Sequence, residues 1–103
     1  MQYEIVLSPE ALEDFRQLKA SLRSTVRSAL ETHLRHDPTK TSKSRIKRLR
    51  GMSRPQYRLR VNDVRVFYDV AEGIVEILAV IPKSAALAWL ERKGQSHEGS
   101  GTF

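Results

Sequence analysis

A chain of 103 residues without cysteine has no disulfide framework and no thiolate zinc site, and it is long enough for one domain with a modest core. Eighteen Lys and Arg against twelve Asp and Glu leave a net charge of +6, so an anionic partner is expected, either nucleic acid or an acidic protein that shields the surface. No apolar run approaches the roughly 18 residues of a membrane span, and the N-terminus lacks the basic start and long apolar core of a signal peptide. The expected setting is therefore the cytoplasm, off the membrane.

Gln2 to Leu7 alternate, with Tyr3, Ile5 and Leu7 against Gln2 and Glu4, and read as a first strand. The following SPEALEDF starts a helix. Ser8 can cap free N–H groups, Pro9 suits the first helical position, and Glu10, Glu13 and Asp14 complement the positive end of the dipole. Ala11, Leu12, Phe15 and Leu18 follow at helical spacing. A second helix is expected from about Leu22 to His36, with Leu22, Val26, Ala29, Leu30 and Leu34 on one face and Ser21 as its cap. Asp37-Pro38 ends it, because the residue before proline avoids the α region. The two helices form an antiparallel hairpin.

PTKTSKS reads as a polar connector, RIKRLRG as a short strand and MSRP as a turn. Pairing supplies the rest. A turn at Asn62-Asp63 sets Arg60 opposite Arg65, Leu59 opposite Val66 and Tyr57 opposite Tyr68. A second turn at Glu72-Gly73 sets Val70 opposite Val75, Tyr68 opposite Ile77 and Val66 opposite Ala79. One face then collects Tyr57, Leu59, Val61, Val64, Val66, Tyr68, Val70, Val75, Ile77, Ala79 and Ile81, and is the expected core. The other collects Arg58, Arg60, Arg65, Phe67, Glu76, Leu78 and Val80, whose apolar members also need cover. Pro82 closes the last strand, and a short helix from about Ser84 to Lys93 can supply that cover or dock at the edge of the core. The expected fold is α+β: an N-terminal strand and helical hairpin packed on one face of a small antiparallel sheet, with a short C-terminal helix. A single domain over 1–93 is expected, with the Gly/Ser-rich 94–103 as a disordered tail.

The charge is segregated. No acidic residue occurs from Pro38 to Asn62, while Lys40, Lys43, Arg45, Lys47, Arg48, Arg50, Arg54, Arg58 and Arg60 all fall there. Arg60 opposite Arg65 is a like-charge contact that weakens a sheet unless an anion intervenes. Arg58 lies two residues up the same face, and three guanidinium forks around one point match a phosphodiester. Phe67 beside them is placed to stack a base. The competing reading is a solvated face whose arginines are neutralised by Glu76 or Asp69; the opposed arginines and the acid-free stretch weigh against it. His33 and His36, near a helix C-terminus, read as structural, and nothing supports a role for His97. With no metal-ligand spacing, Gly-rich phosphate loop or Ser/His/Asp set, no metal or cofactor is expected.

The order strand, helical hairpin, antiparallel strands and short helix, with LRGM at Leu49–Met52, YRLRV at Tyr57–Val61, VRVFYDV at Val64–Val70 and ILAVIPKS at Ile77–Ser84, resembles the RelE/ParE superfamily of bacterial toxins. LRGM leans towards the RelE branch. The resemblance implies the toxin of a type II toxin–antitoxin system, an endoribonuclease that cuts mRNA on the ribosome through attack of the ribose 2′-OH on the adjacent phosphate. It implies an acidic antitoxin that wraps the basic surface and mediates any contact with operator DNA. Carried over by position, the catalytic set is Arg58, Arg60, Arg65, Lys83 and Trp89; Lys47, Arg48, Arg50 and Arg54 of the acid-free stretch, and Phe67 beside the arginines, are expected as further RNA-binding residues. Arg65 matches in kind, whereas Arg58 and Arg60 replace lysines, Lys83 replaces arginine and Trp89 replaces tyrosine. These departures matter, because arginine stabilises a phosphate but is a poor base, and an indole has no proton in range. Lys83 is then the remaining candidate for proton transfer. The same resemblance leaves two alternatives: a ParE-like inhibitor of DNA gyrase, and a member without toxicity that acts with its antitoxin in transcriptional autoregulation.

Overall fold

The computed structural model describes residues 2–96. Strand β1 (Glu4–Leu7) runs directly into helix α1 (Pro9–Gln17), where the Ser8 side chain accepts the Ala11 N–H at 3.1 Å. Helix α2 spans Ala20–Leu34, two residues earlier at each end than the spacing predicts. Its N-cap is Lys19, without a side-chain cap bond, and Ser21 lies inside the first turn rather than capping it. The cause is the short connection. Leu18 and Lys19 are extended and α2 begins at once, while the Arg23 guanidinium reaches back to the Leu18 carbonyl and satisfies an open end of α1. At the far end of α2, Arg35 accepts the Tyr3 N–H with its carbonyl and donates its guanidinium to the Tyr3 carbonyl. The two ends of the N-terminal unit are thereby joined.

The main sheet contains β1, β2 (Ile46–Arg48), β4 (Tyr57–Val61), β5 (Val64–Ala71) and β6 (Ile74–Pro82), in the order β1-β6-β5-β4-β2. β1 lies parallel to β6 and the other pairs are antiparallel. The sheet is therefore mixed rather than wholly antiparallel, and the N-terminal strand is one of its edges, not part of the layer above it. The helices alone form that layer.

The β4–β5 turn falls at Asn62-Asp63, and Asn62 takes a φ of 53°, in the left-handed region that asparagine tolerates. The register matches expectation: Tyr57 faces Tyr68, Leu59 faces Val66 and Arg60 faces Arg65. The β5–β6 pairing begins as expected, with Val70 opposite Val75 and Tyr68 opposite Ile77, and then departs from it. Phe67 pairs with Ala79 and Val66 with Val80, which leaves Leu78 as an extra residue in β6. Val80 consequently enters the main core, while Ala79 and Ile81 turn to the opposite face. The run ILAVI is apolar throughout, so alternation carries no information on which residue faces which side. Contacts from α1 accompany the bulge: the Ser8 hydroxyl donates to the Leu78 carbonyl at 3.5 Å, and an Asp14 carboxylate oxygen accepts the Val80 N–H at 3.1 Å.

MSRP is not a simple turn. Met52–Arg54 forms β3, which pairs with β7 (Gln95–Ser96) after the C-terminal helix α3 (Ala86–Lys93). A Cβ at Gly94 would collide with the Leu90 carbonyl and the Met52 side chain, so glycine is what lets the chain leave α3 so close to β3. The fold thus extends past the expected boundary at residue 93, and the remainder of the expected tail, 97–103, lies outside the described residues.

Two apolar clusters result. Val26, Leu30 and Leu34 of α2 pack with Leu59, Val66, Tyr68, Ile77 and Val80 between helices and sheet. On the opposite face, Phe67, Leu78, Ala79, Ile81 and Trp89 form a smaller cluster under α3. Among the described residues no helix is long and apolar enough to cross a membrane.

Candidate nucleic-acid interface

The uncovered part of the second face carries the cations. Lys47 of β2 stands opposite Arg58 of β4, and Arg60 of β4 stands opposite Arg65 of β5. Directly opposed residues project to the same side of a sheet, so all four share one face. The bulge lies further along β5 and leaves this register untouched.

Each cation is held differently. Arg65 is only 8% exposed, and its guanidinium bends back to donate to the Asn62 and Val64 carbonyls at 2.9 and 3.1 Å. It both braces the β4–β5 turn and contributes charge. Arg58 is half-buried, with one long contact to the Ser44 carbonyl at 3.5 Å and a buried Nε that has no partner. Burial, followed by the charges of Arg65 and Arg60, pulls the Arg58 guanidinium below its ordinary pKa. Arg60 is exposed. Three like charges are thus near enough to disfavour one another, and an anion among them would relieve that cost. Lys83 follows β6, and its N–H donates to the Asp63 carbonyl at 2.6 Å. That bond ties it to the turn end of the sheet, the end occupied by Arg60 and Arg65.

The carboxylates on this side are engaged elsewhere. Asp69 and Glu76 face each other across β5 and β6, and Arg54 bridges them at 3.3 and 3.4 Å. The residue they neutralise is Arg54, not Arg58, Arg60 or Arg65. Asp69 also accepts the Gln56 N–H at 2.7 Å, and burial raises its pKa overall.

Several expected RNA contacts take other positions. Arg54 is committed to that bridge. Arg48 lies on the other side of the sheet, 5.4 Å from the Tyr57 ring centroid, and donates to the Leu49 and Gln56 carbonyls. Arg50 is exposed in the turn before β3. Phe67 is 1% exposed and stacks on Trp89, itself 8% exposed, with ring centroids 5.1 Å apart and planes at 6°. Neither ring offers a free face for a base. Sequence reasoning left open whether the C-terminal helix covers the second face or docks at the edge of the core; α3 covers it, and both rings are buried beneath it.

One feature escaped the sequence reading. Where α2, the connector before β2 and the β4–β5 turn meet, a cavity of about 420 Å³ is lined by His33, Ser44, Arg45, Arg60 and Asn62. Burial, and then the Arg45 charge, lowers the His33 pKa from 6.5. The available signal was Arg45 within the acid-free stretch, read as one cation among many at the start of the short strand RIKRLRG.

Chemically, this surface can bind a phosphodiester and stabilise charge on its non-bridging oxygens. The arginines cannot act as bases. Lys47, opposite Arg58, and Lys83, tied to the turn end by its backbone, are the residues designated from the sequence that carry a transferable proton.

The chain matches, over residues 5–87, the family model described as the ParE toxin of the type II toxin–antitoxin system parDE. No curated protein matches it at a comparable level. Among solved structures, it is similar to one of the toxin–antitoxin complex RelBE2 from Mycobacterium tuberculosis, with TM-score 0.66 and 20% identity, covering 80% of this chain and 99% of that one. A mutant of the E. coli toxin RelE in the free state gives TM-score 0.65 and 23% identity over 90% of this chain and 99% of that one. The YoeB dimer from Staphylococcus aureus gives 0.60 and 21% over 79% and 97%. At these identities the structural likeness establishes a RelE-type fold, while the family model covers most of the sequence. The chain belongs to the ParE toxin family, within the RelE/ParE superfamily of type II toxin–antitoxin toxins.

Proposed function

We propose that this toxin is a ribosome-dependent mRNA endonuclease of the RelE kind. The observation that carries the reading is the crowding of Arg58 by Arg60 and Arg65, with a buried Arg58 Nε lacking a partner. A strand face that opposes its own cations in this way suits a phosphate. In the reaction, the ribose 2′-OH attacks the adjacent phosphorus, a 2′,3′-cyclic phosphate forms, and the 5′ oxygen leaves with a proton. Arg58, Arg60 and Arg65 hold the non-bridging oxygens and offset charge that grows in the transition state. Lys83 assists proton transfer at the turn end. Trp89 and Phe67 support the site from below rather than touching RNA.

The partner proposed for the basic surface is an acidic cognate antitoxin, in keeping with the RelBE2 complex and the YoeB–YefM complex among the similar structures. Operator DNA would be reached only through it, and the site of action is the cytoplasm, where ribosomes are. Primer extension on mRNA from cells expressing the toxin tests the nuclease reading. New codon-specific 5′ ends are expected, and growth arrest without them rejects it.

A second reading is favoured by the ParE family match and by arginines where a base would be needed: inhibition of DNA gyrase, without RNA chemistry. Loss of supercoiling by purified gyrase, with intact mRNA, would establish it.

A further inference from the structure

The cavity beside the arginine face has features that the scissile-phosphate site does not use. Its lining carries Arg45 and Arg60 as cations, Ser44 and Asn62 as hydrogen-bonding groups, and His33, with no carboxylate among them. Arg60 belongs both to this cavity and to the face shared with Arg58 and Arg65. The two sites are therefore contiguous.

The cavity is also built. The Ser42 hydroxyl accepts the N–H groups of Arg45 and Ile46 at 3.0 and 3.2 Å, and the Ser42 N–H donates to the Ile46 carbonyl at 3.0 Å. The Arg45 carbonyl accepts the Arg60 N–H at 2.8 Å, one step beyond the end of the β2–β4 ladder. Further back, the Tyr68 hydroxyl donates to the Pro38 carbonyl at 2.6 Å and anchors the connector to the core. The backbone of Arg45 is thus fixed while its side chain is exposed. The volume of about 420 Å³ lies within the ordinary range for small-ligand pockets.

We propose that this cavity is a second nucleotide subsite, which receives the nucleotide one step beyond the pair joined by the scissile phosphate, on the same RNA strand. Arg45 and Arg60 grip its phosphate, Ser44 and Asn62 meet ribose or base edges, and the imidazole of His33 packs against the base. Burial, and then Arg45, holds His33 below its usual pKa there. The subsite rests on the nuclease reading and extends it, because it gives the strand a direction: across Arg58 and Arg65, over Arg60, and towards the C-terminal half of α2. An RNA strand is preferred to an acidic peptide because the lining sets two cations beside small polar groups, an imidazole and the apolar Ala29 and Val61, which suits a phosphate joined to a base and ribose.

The test uses the full chain and RNA oligonucleotides with 2′-O-methyl riboses, which bind without being cut. Affinity is measured by fluorescence anisotropy against salt for a dinucleotide and a decanucleotide, with thermal unfolding of each variant as the folding control. Arg45→Gln is expected to weaken decanucleotide binding about fivefold or more and to lower the salt slope by about 0.7, the value of one single-strand phosphate contact. Dinucleotide binding should be unchanged. His33→Ala should weaken decanucleotide binding with the slope unaltered, and Arg58→Gln should weaken both oligonucleotides. If Arg45→Gln changes neither affinity nor slope while Arg58→Gln does, the subsite is wrong and the nuclease reading stands. If Arg45→Gln weakens both oligonucleotides equally, Arg45 is a general charge and the subsite is likewise wrong. If the unaltered protein binds neither oligonucleotide, the subsite is wrong, while the nuclease reading, which places the RNA on the ribosome, is decided separately by primer extension.

Discussion

Arg60 and Arg65 stand directly opposite each other across β4 and β5, on the face of the sheet that α3 leaves uncovered at that end. Like charges so placed destabilise a pair of strands by roughly 0.2–1 kcal/mol. Arg60 is exposed and carries the looser of the two side chains, so its charge can be removed without disturbing the core. Arg60→Gln is therefore expected to raise the unfolding midpoint at low salt while abolishing or greatly weakening toxicity. Thermal unfolding and a growth assay on the same variant check this. A drop in stability would mean that the two arginines do not repel in the folded protein.

Arg65 should behave differently. Its guanidinium bonds to the Asn62 and Val64 carbonyls, so truncation frees acceptors at the β4–β5 turn. Arg65→Ala should lose toxicity and also about 1–3 kcal/mol of stability, measured by urea denaturation. Leu59→Ala, at a fully buried core position, should cost about 2–5 kcal/mol. A neutral effect of Arg65→Ala on stability would show that the turn does not depend on this brace.

The Phe67–Trp89 stack makes Trp89 a support for the sheet. Trp89→Ala should cost about 3–5 kcal/mol. Trp89→Phe keeps an aromatic ring on Phe67 and should retain most of both stability and RNA affinity. If Trp89→Phe folds normally yet loses RNA binding, the indole contacts RNA after all.

Asp14 holds the amide that the β6 bulge leaves facing α1. Burial raises its pKa above 3.8, opposed by the Val80 N–H bond and reinforced by the Glu10 and Glu13 charges. Because the folded value exceeds the unfolded one, the contribution of this group is most favourable below pH 3.8 and is lost as pH rises through the raised value. Asp14→Asn retains an acceptor without the charge, so it should match or exceed the wild type at pH 7, with the gap closing in acid. Asp14→Ala should lose about 1–3 kcal/mol because the Val80 amide is left without a partner. Denaturation midpoints from pH 3 to 7 would reveal both trends; a gap that widens in acid would contradict the assigned sign.

The β4–β5 hairpin was legible because Tyr57, Leu59 and Val61 alternate with arginines and Asn62-Asp63 marks the turn. The helices were legible from the spacing of Val26, Leu30 and Leu34. β6 was not, since ILAVI is apolar on both sides and its register is resolved only in the assembled sheet, where Asp14 and Ser8 of the N-terminal unit meet it. Nor was the pairing of Met52–Arg54 with Gln95–Ser96, two short polar segments far apart in the chain. For the candidate site, the charge pattern singled out Arg58, Arg60, Arg65 and Lys47, which the sheet register places on one face, but the partners of Arg48 and Arg54 are tertiary and left no local trace. Arg45 was visible only as one cation among many until the connector placed it beside Arg60.

The most direct test is the chemistry of the cut ends on a defined mRNA in a programmed ribosome, with purified toxin and with Arg58→Ala. A 5′-hydroxyl fragment and a 2′,3′-cyclic phosphate fragment are expected, both abolished by a single 2′-deoxyribose at the cleavage position and by Arg58→Ala. An intact mRNA at toxin levels that arrest growth, or cleavage indifferent to Arg58, would contradict the assignment of this face to the scissile phosphate.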